Sequence, residues 1–581
     1  MKLSRISLAI LPLLSLCSVQ AAVYSVVEIG EVSEVKSTYA AAINDAGSVA
    51  VNGLVSVAAT DAFGQPFTDV QLYNFPLDLD AIDFENEAVI AVLTDEQLAD
   101  AINGDIDATL LSILLRLNPS GQRIGSALSY IGGADGILQN MPLRDITRQR
   151  SNSEYLYDIN NSGIAVGAAT ATFSLQSFTA EPSSETPEPE AEDIWVPELS
   201  YQLGVVVKDN QVTTIPAPYQ ELGGGFTVAK AISDNGFIAG SGSSGMTEAQ
   251  KTAIEAACDG DDTPVNLCLY NRSASGSYQQ RAMVWPLQAN GAVGEPEVLG
   301  FLGDKNTGVA FDGEGVDAIT YFSLANDVND NGLAVGRSMY SNSDRTERAR
   351  LSTGQVVDRI VRALHASLYA EGQVLPLVDP LEWFESDAVA VNNNDIVVGR
   401  ASKTINSQTR SKFFYHDYSS AQTVFPQDFF TSSASEQNAI NDLDQVVGRA
   451  EVLLPGTTTR RKHGFVYDIA TDSFRDLNTL LGCDLPYTIV DANDINNNGE
   501  ILATALVKRE QRDALGEVVL DSAGNAIEKD VALAVKLIPV ANGEVENCTT
   551  EDTVYERKGG SLPWSLLVLS SVLLWWRRTK L

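Results

Sequence analysis

Apolar positions in this chain come in short runs that restart behind a polar turn, and the same arrangement returns seven times. Each copy has two small residues, an Ile or Val, usually an Asn, an Asp or Asn, one variable residue, usually a Gly, and then a second apolar run. The copies span Ala40–Gly47, Leu156–Gly163, Ala229–Gly236, Ala325–Gly332, Ala388–Asp395, Gln437–Asp444 and Ala492–Gly499. The second run, as in Leu333-Ala-Val-Gly336 or Ile396-Val-Val-Gly399, is too short for a helix and rich in β-branched residues, which predicts a buried strand. The last turn position is Gly in five copies and Asp395 or Asp444 in the others, residues that tolerate positive φ. Asn and Asp earlier in the turn can bond their own backbone two residues on. Each copy therefore predicts a β-hairpin.

A second element recurs between these hairpins. Arg281–Trp285, His365–Tyr369, Lys412–Tyr415 and His463–Tyr467 each read as a strand with an aromatic near its end, and a further strand follows, such as Gln373–Leu377 or Phe474–Leu477. Four antiparallel strands per repeat predict an all-β chain folded as a β-propeller of seven blades. Spacings of 116, 73, 96, 63, 49 and 55 residues between key positions suit blades with insertions, and the gap of 116 leaves room for an eighth. The last repeat supplies its hairpin and one more strand, Val531–Leu537, so Tyr24–Ile29 is expected to complete that blade and close the ring. Residues 22–549 form this domain, with insertions near 80–150, 170–197, 245–280 and 505–530. Within them, 95–118 reads as a helix capping one end of the barrel, 180–197 as a Pro- and Glu-rich mobile loop, and 507–530 as a long exposed hairpin.

Charge narrows the partners. The 581 residues carry 39 Lys plus Arg against 76 Asp plus Glu, a formal net charge of −37. Such a surface repels nucleic acid and anionic lipid. Residues 1–21 read as a secretory signal peptide: Lys2 and Arg5, an apolar run from Ile6 to Leu16, and Val19-Gln20-Ala21 for cleavage. Export makes disulfides available, and sequence proximity pairs Cys258 with Cys268, leaving Cys483 for Cys548. At the other end, a polar stalk (550–561) ends in Gly559-Gly560-Ser561. An uncharged run, Leu562–Trp576, and then Arg577 and Arg578 follow. The run is short for a bilayer span, and its basic end would stay cytoplasmic.

Candidate chemistry is sparse. Asp327, Asn329, Asn331 and Asp494, Asn496, Asn498 imitate the start of a calcium loop, yet a buried strand without an acid lies where the closing carboxylate belongs, so a hairpin turn is the better reading. Arg337, Arg400 and Arg449 share one offset after three of the second strands. Propeller symmetry would gather them on one ring, as a possible anion site or as partners of nearby acids. Of the three histidines, His365 and His463 occupy the same position in the third strand, which argues for a structural role, and His416 completes the set. No catalytic signature is recognisable, and no cofactor is implied.

The phrase Ala-x-Ala-Ile-Asn-Asp-x-Gly, with His463-Gly-Phe465 and His365-Ala-Ser367, resembles the bacterial HAF repeat. Gly559-Gly560-Ser561, the apolar run and Arg577-Arg578 resemble the GlyGly C-terminal sorting signal of Gram-negative bacteria, a substrate for a rhomboid-type protease. Together the chain resembles a family of exported gammaproteobacterial proteins of unknown function, which implies no catalytic residues. The resemblance implies passage through the inner membrane, membrane attachment through the C-terminal helix, and display at the cell surface after processing. Retention as a periplasmic, inner-membrane-anchored protein is the other address. Two functions stay open: a surface binding or adhesion module for an extracellular ligand, and a secreted enzyme acting on polysaccharide or peptide through unrecognised carboxylates.

Overall fold

A computed structural model describes most of residues 23–546. Outside it lie 1–22, 547–581 and internal stretches, the longest being 55–81, 115–126, 311–318 and 511–517. The described residues form seven four-stranded antiparallel sheets, the blades of a propeller. Blade 1 runs Ser37–Ile43, Val49–Leu54, Ala127–Gly132 and Leu138–Asn140. Blades 2 to 6 repeat this order, starting at Glu154, Thr227, Ser323, Glu385 and Ser435. Blade 7 comprises Thr488–Ile495, Ile501–Glu510 and Glu528–Pro539, and Tyr24–Glu28 is its fourth strand, in register from Tyr24 opposite Pro539 to Glu28 opposite Val535. The 116-residue gap holds the outer strands of blade 1 and helical segments, and among its described residues there is no eighth sheet.

The phrase maps onto the two inner strands of every blade. The residue ending each turn has positive φ: Gly47, Gly163, Gly236, Gly332 and Gly499 lie between 72° and 82°, Asp395 at 60° and Asp444 at 57°. Alternate residues of the apolar run pack against opposite neighbours, which is why the run is continuous rather than alternating. Val397 joins Val335, Leu368 and Phe414 between blades 4 and 5, while Val398 joins Phe413, Val446 and Phe465 between blades 5 and 6.

Every innermost strand is bulged at an equivalent place, and that of blade 7 also slips between Ile489 and Asp491. The register slips between Ala40 and Ala42, Leu156 and Asp158, Ala229 and Ala231, Ala325 and Asp327, Ala388 and Ala390, Gln437 and Ala439, and Ala492 and Asp494. A bulge leaves one residue unpaired and re-aims its side chain. It also presses the first strand onto the second, where a Cβ on Gly167, Gly240, Gly336 or Gly448 would collide with a carbonyl of its partner. That contact explains the Gly closing the apolar run.

The insertions depart from expectation in three places. The helix expected over 95–118 is continuous over Asp95–Asn103, and Ala101, Leu110 and Leu114 pack with Val51 and Tyr130 of blade 1 and Leu502 and Ala534 of blade 7. These residues sit on the two blades that close the ring. Glu192–Pro197, expected within a mobile loop, pairs with Phe173–Phe178, because Ile194, Trp195 and Val196 give the segment an apolar stretch that its Pro and Glu content hides. Residues 245–280, expected only as an insertion, hold two helices, Glu248–Ala257 and Val265–Ser273. The hairpin expected over 507–530 extends blade 7, with Lys508 opposite Asp530. Among the described residues no helix is long and apolar enough to cross a membrane.

Candidate functional site

The seven innermost strands surround a central channel, a cavity of about 270 Å³. At the turn end it is laced by side-chain amides. Asn44 Nδ2 donates to the carbonyl of Asn160 at 2.9 Å, Asn160 to Ser233 at 3.2 Å, and Asn329 to Asn392, Asn392 to Asn441, Asn441 to Asn496 and Asn496 to Asn44 at 3.0 Å each. The ladder runs through all seven repeats and breaks only at Ser233, which has no amide to offer blade 4. Outside it is a ring of Asp45, Asn161, Asp234, Asp330, Asn393, Asp442 and Asn497, in which Asn161 Nδ2 bridges Asp45 and Asp234 at 3.1 and 2.7 Å. Amide alternates with carboxylate around this ring except where Asp234 of blade 3 neighbours Asp330 of blade 4.

Deeper in the channel are Asp158, Asp327 and Asp494. Each carboxylate takes two backbone amides, one from its own blade and one from the next. Asp158 binds Ile159 and Ile232 at 2.7 and 2.8 Å, Asp327 binds Val328 and Val391 at 2.8 and 2.7 Å, and Asp494 binds Ile495 and Ile43 at 2.8 and 2.7 Å. Burial pushes Asp158 up to about 6 and Asp327 up to about 7, the charge of Asp158 adding to the rise in Asp327. Asp494 is raised by burial and by Asp158 as well. Of the loop residues that suggested calcium, Asp327 and Asp494 therefore have their oxygens on amides. Asn329 Oδ1 accepts from Asn331 and Leu333, and Asn496 Oδ1 from Asn498 and Glu500. No group of His, Cys, Asp or Glu suited to a metal exists among the described residues.

The bulged residues line the channel between these carboxyls and the far mouth: Ala41, Tyr157, Lys230, Asn326, Val389, Asn438 and Asn493. Lys230 Nζ lies 3.5 Å from the centre of the Tyr157 ring. Burial, with Arg337 adding and Asp387 opposing, lowers its pKa to about 8. Asn326 Nδ2 donates to Asp387 at 2.8 Å, and Asn438 Nδ2 to Asp491 at 2.7 Å. Burial raises Asp387 and Asp491 despite the arginines beside them.

The three arginines of shared offset are divided. Arg337 and Arg400 flank Asp387 at 3.7 and 3.4 Å, whereas Arg449 binds Glu436 at 2.8 Å and Asp491 at 3.0 Å. The histidines lie in third strands: His365 is buried near Ser386, His416 Nδ1 is 2.8 Å from Thr423 Oγ1, and His463 Nδ1 is 2.8 Å from Asp476. Cys258 and Cys268 form a disulfide joining the two inserted helices. Cys483 is also disulfide-bonded, and Cys548, its expected partner, lies outside the described residues, as do Gly559, Gly560, Ser561, Arg577 and Arg578. Sequence reasoning missed Lys230, Tyr157 and Asn326. The available signal was the residue three before each turn Asn, where the seven copies disagree most.

A family model described as "Protein of unknown function (DUF3466)" matches residues 1–579. The chain belongs to that family. No curated protein matches it. Among solved structures, the chain is similar to Porphyromonas gingivalis dipeptidyl peptidase 4 at 9% identity and a TM-score of 0.30, over 70% of this chain and 56% of that one. It is also similar to Kuenenia stuttgartiensis hydrazine synthase at 9% identity and a TM-score of 0.24, over 66% and 49%. The chain thus spans about half the length of these structures. Likeness this distant says nothing of the family's activity.

Proposed function

We propose that this protein is an exported binding module whose ligand enters the central channel. One observation carries the reading. Each blade repeats the same bulge and turn, and within the repeated phrase the bulged position that faces the channel is the most varied: Ala41, Tyr157, Lys230, Asn326, Val389, Asn438 and Asn493. A structural repeat that varies mainly where it lines a cavity has the form of a scaffold carrying a recognition surface. The three deep carboxyls give no support to the alternative of a secreted hydrolase, since their oxygens are taken by backbone amides. In this proposal residues 1–21 direct export. The HAF-like repeat builds the scaffold, and Gly559 to Arg578 serves as a sorting signal removed by a rhomboid-type protease, leaving the propeller at the cell surface.

The test is a glycan and small-molecule array probed with the purified protein and with a Val389→Trp variant, which fills the channel without deleting a hydrogen bond. Retained ligands that Val389→Trp loses at unchanged melting temperature support the channel; ligands it keeps place binding elsewhere. Hydrolase assays run in parallel favour the enzyme if turnover survives purification and vanishes when a channel carboxylate is replaced.

A further inference from the structure

We infer that a second binding site lies between the outer strands of blades 4 and 5, taking an uncharged apolar molecule whose one O–H is donated to His416 Nε2. In the third strands of blades 3, 4 and 6 a large aromatic is buried against the preceding blade. Trp285 pairs with Ile238, Tyr369 with Ala334 and Tyr467 with Val446, each two residues before the glycine that closes the apolar run. Trp285 packs with Val166 and Val206, Tyr369 with Ala239 and Ala282, and Tyr467 with Phe413. In blade 5 the same place, opposite Val397, is held by His416. Beside this smaller ring lies a cavity of about 580 Å³, larger than the central channel and sharing no lining residue with it. The recess beside Tyr369 is smaller, about 350 Å³, and Glu297, Glu371 and Asp395 line it.

Leu368, Leu377, Val378, Trp383 and Phe425 make the lining largely apolar, and the volume suits a small molecule. Trp383 stacks on Phe425 at 4.3 Å, so this wall is preformed. The tautomer of His416 is fixed by its neighbour. Thr423 Oγ1 donates its proton to the Leu377 carbonyl at 2.6 Å, so the 2.8 Å contact with His416 Nδ1 requires the hydrogen on Nδ1. Nε2 then presents a bare lone pair. It has no partner among the described residues and is not sealed from solvent. Burial lowers the His416 pKa against the pull of Asp417, which keeps the ring neutral and the lone pair free at neutral pH. Two acids, Asp379 and Glu382, also line the cavity. Lys403 offsets Glu382 at 3.1 Å, but no ion pair offsets Asp379 among the described residues, so an anionic guest is disfavoured.

The probes are p-propylphenol, p-propylanisole, which lacks the O–H, and p-propylbenzoate, which carries a negative charge, each titrated calorimetrically into the intact protein. The phenol should bind, and the anisole and the benzoate should bind about tenfold or more weakly than it. His416→Phe should erase the preference for phenol over anisole, while Val389→Trp, in the central channel, should leave phenol binding unchanged. On the unmutated protein the phenol should slow carbethoxylation of His416 Nε2 by diethyl pyrocarbonate, with His365 and His463 as internal controls in the mass spectrum. Anisole or benzoate binding as well as the phenol overturns the inference. So does phenol binding that ignores His416→Phe or is lost in Val389→Trp, or no probe binding with His416 equally reactive throughout. A sedimenting dimer in which His416 is unreactive before any probe is added also overturns it, because a second copy would then cover the exposed apolar rim at Leu375, Leu381 and Phe384.

Discussion

The carboxylate of Asp494, in the last repeat, accepts the amide of Ile43, in the first, at 2.7 Å, across the seam where the ring closes. Its other oxygen holds the amide of Ile495 at 2.8 Å. Asp158 and Asp327 make the same junction between blades 2 and 3 and between blades 4 and 5, while Ala42, Ala231, Ala390 and Ala439 stand at the equivalent places elsewhere.

Burial sets a pH dependence on these junctions. All three carboxyls are held above the ordinary value of 3.8, at about 6 for Asp158 and about 7 for Asp327, with Asp494 raised too. A raised folded value means that protons are taken up on folding. The stabilisation is complete below the unfolded value and drains away as pH climbs through the folded values. Urea midpoints should fall from pH 5 to pH 8, and an Asp158→Ala, Asp327→Ala double variant should fall less steeply than the unmutated protein. Equal slopes would show that these groups titrate normally.

The seam itself is open to test. Asp494→Ala strands two amides and should cost about 1–3 kcal/mol, more at pH 5 than at pH 8. Urea unfolding at both values measures it.

The amide ladder has one vacancy. Ser233 holds its own turn by accepting the Phe237 amide at 3.2 Å but cannot donate to blade 4. Ser233→Asn should add the bond to Asn329 and raise stability by about 0.5–1.5 kcal/mol, and Asn441→Ser should lose a similar amount. Paired unfolding curves for the two variants decide this.

Gly332 sits at φ 79° with the Phe237 ring near where a Cβ would lie, at an ordinary contact distance. Space is therefore not the issue and backbone conformation is. Gly332→Val should cost roughly 1–3 kcal/mol and Gly332→Asn clearly less, as Asp395 and Asp444 at φ 60° and 57° already indicate. Equal melting shifts would contradict the left-handed turn.

Much of this architecture was legible because its causes are local. A turn Asn, a residue tolerant of positive φ and a β-branched run lie within a dozen residues of one another, and the unfinished last repeat called for Tyr24–Glu28 as its missing strand. The site was less so. Lys230, Tyr157 and Asn326 sit at the bulge, and a position filled by five residue types in seven copies looks like noise until the register slip shows it facing the channel. Whether an arginine is satisfied depends on acids from the next blade. Arg449 finds Asp491 from 42 residues away and Arg337 finds only a shared Asp387, a difference that spacing alone cannot reveal. The helices at Glu248–Ala257 and Val265–Ser273 escaped because their apolar faces are weak, and they pack through few buried residues, Ile254 among them.

Amide hydrogen exchange of the whole protein, with and without a saturating ligand taken from the array, tests most directly the claim that the channel receives the ligand. Added protection is predicted in the innermost strands that line the channel, such as Glu154–Ile159, Thr227–Ile232 and Glu385–Val391, with the outer strands unchanged. Protection confined to outer strands or to the inserted helices, or none at a concentration where the ligand binds, would contradict it.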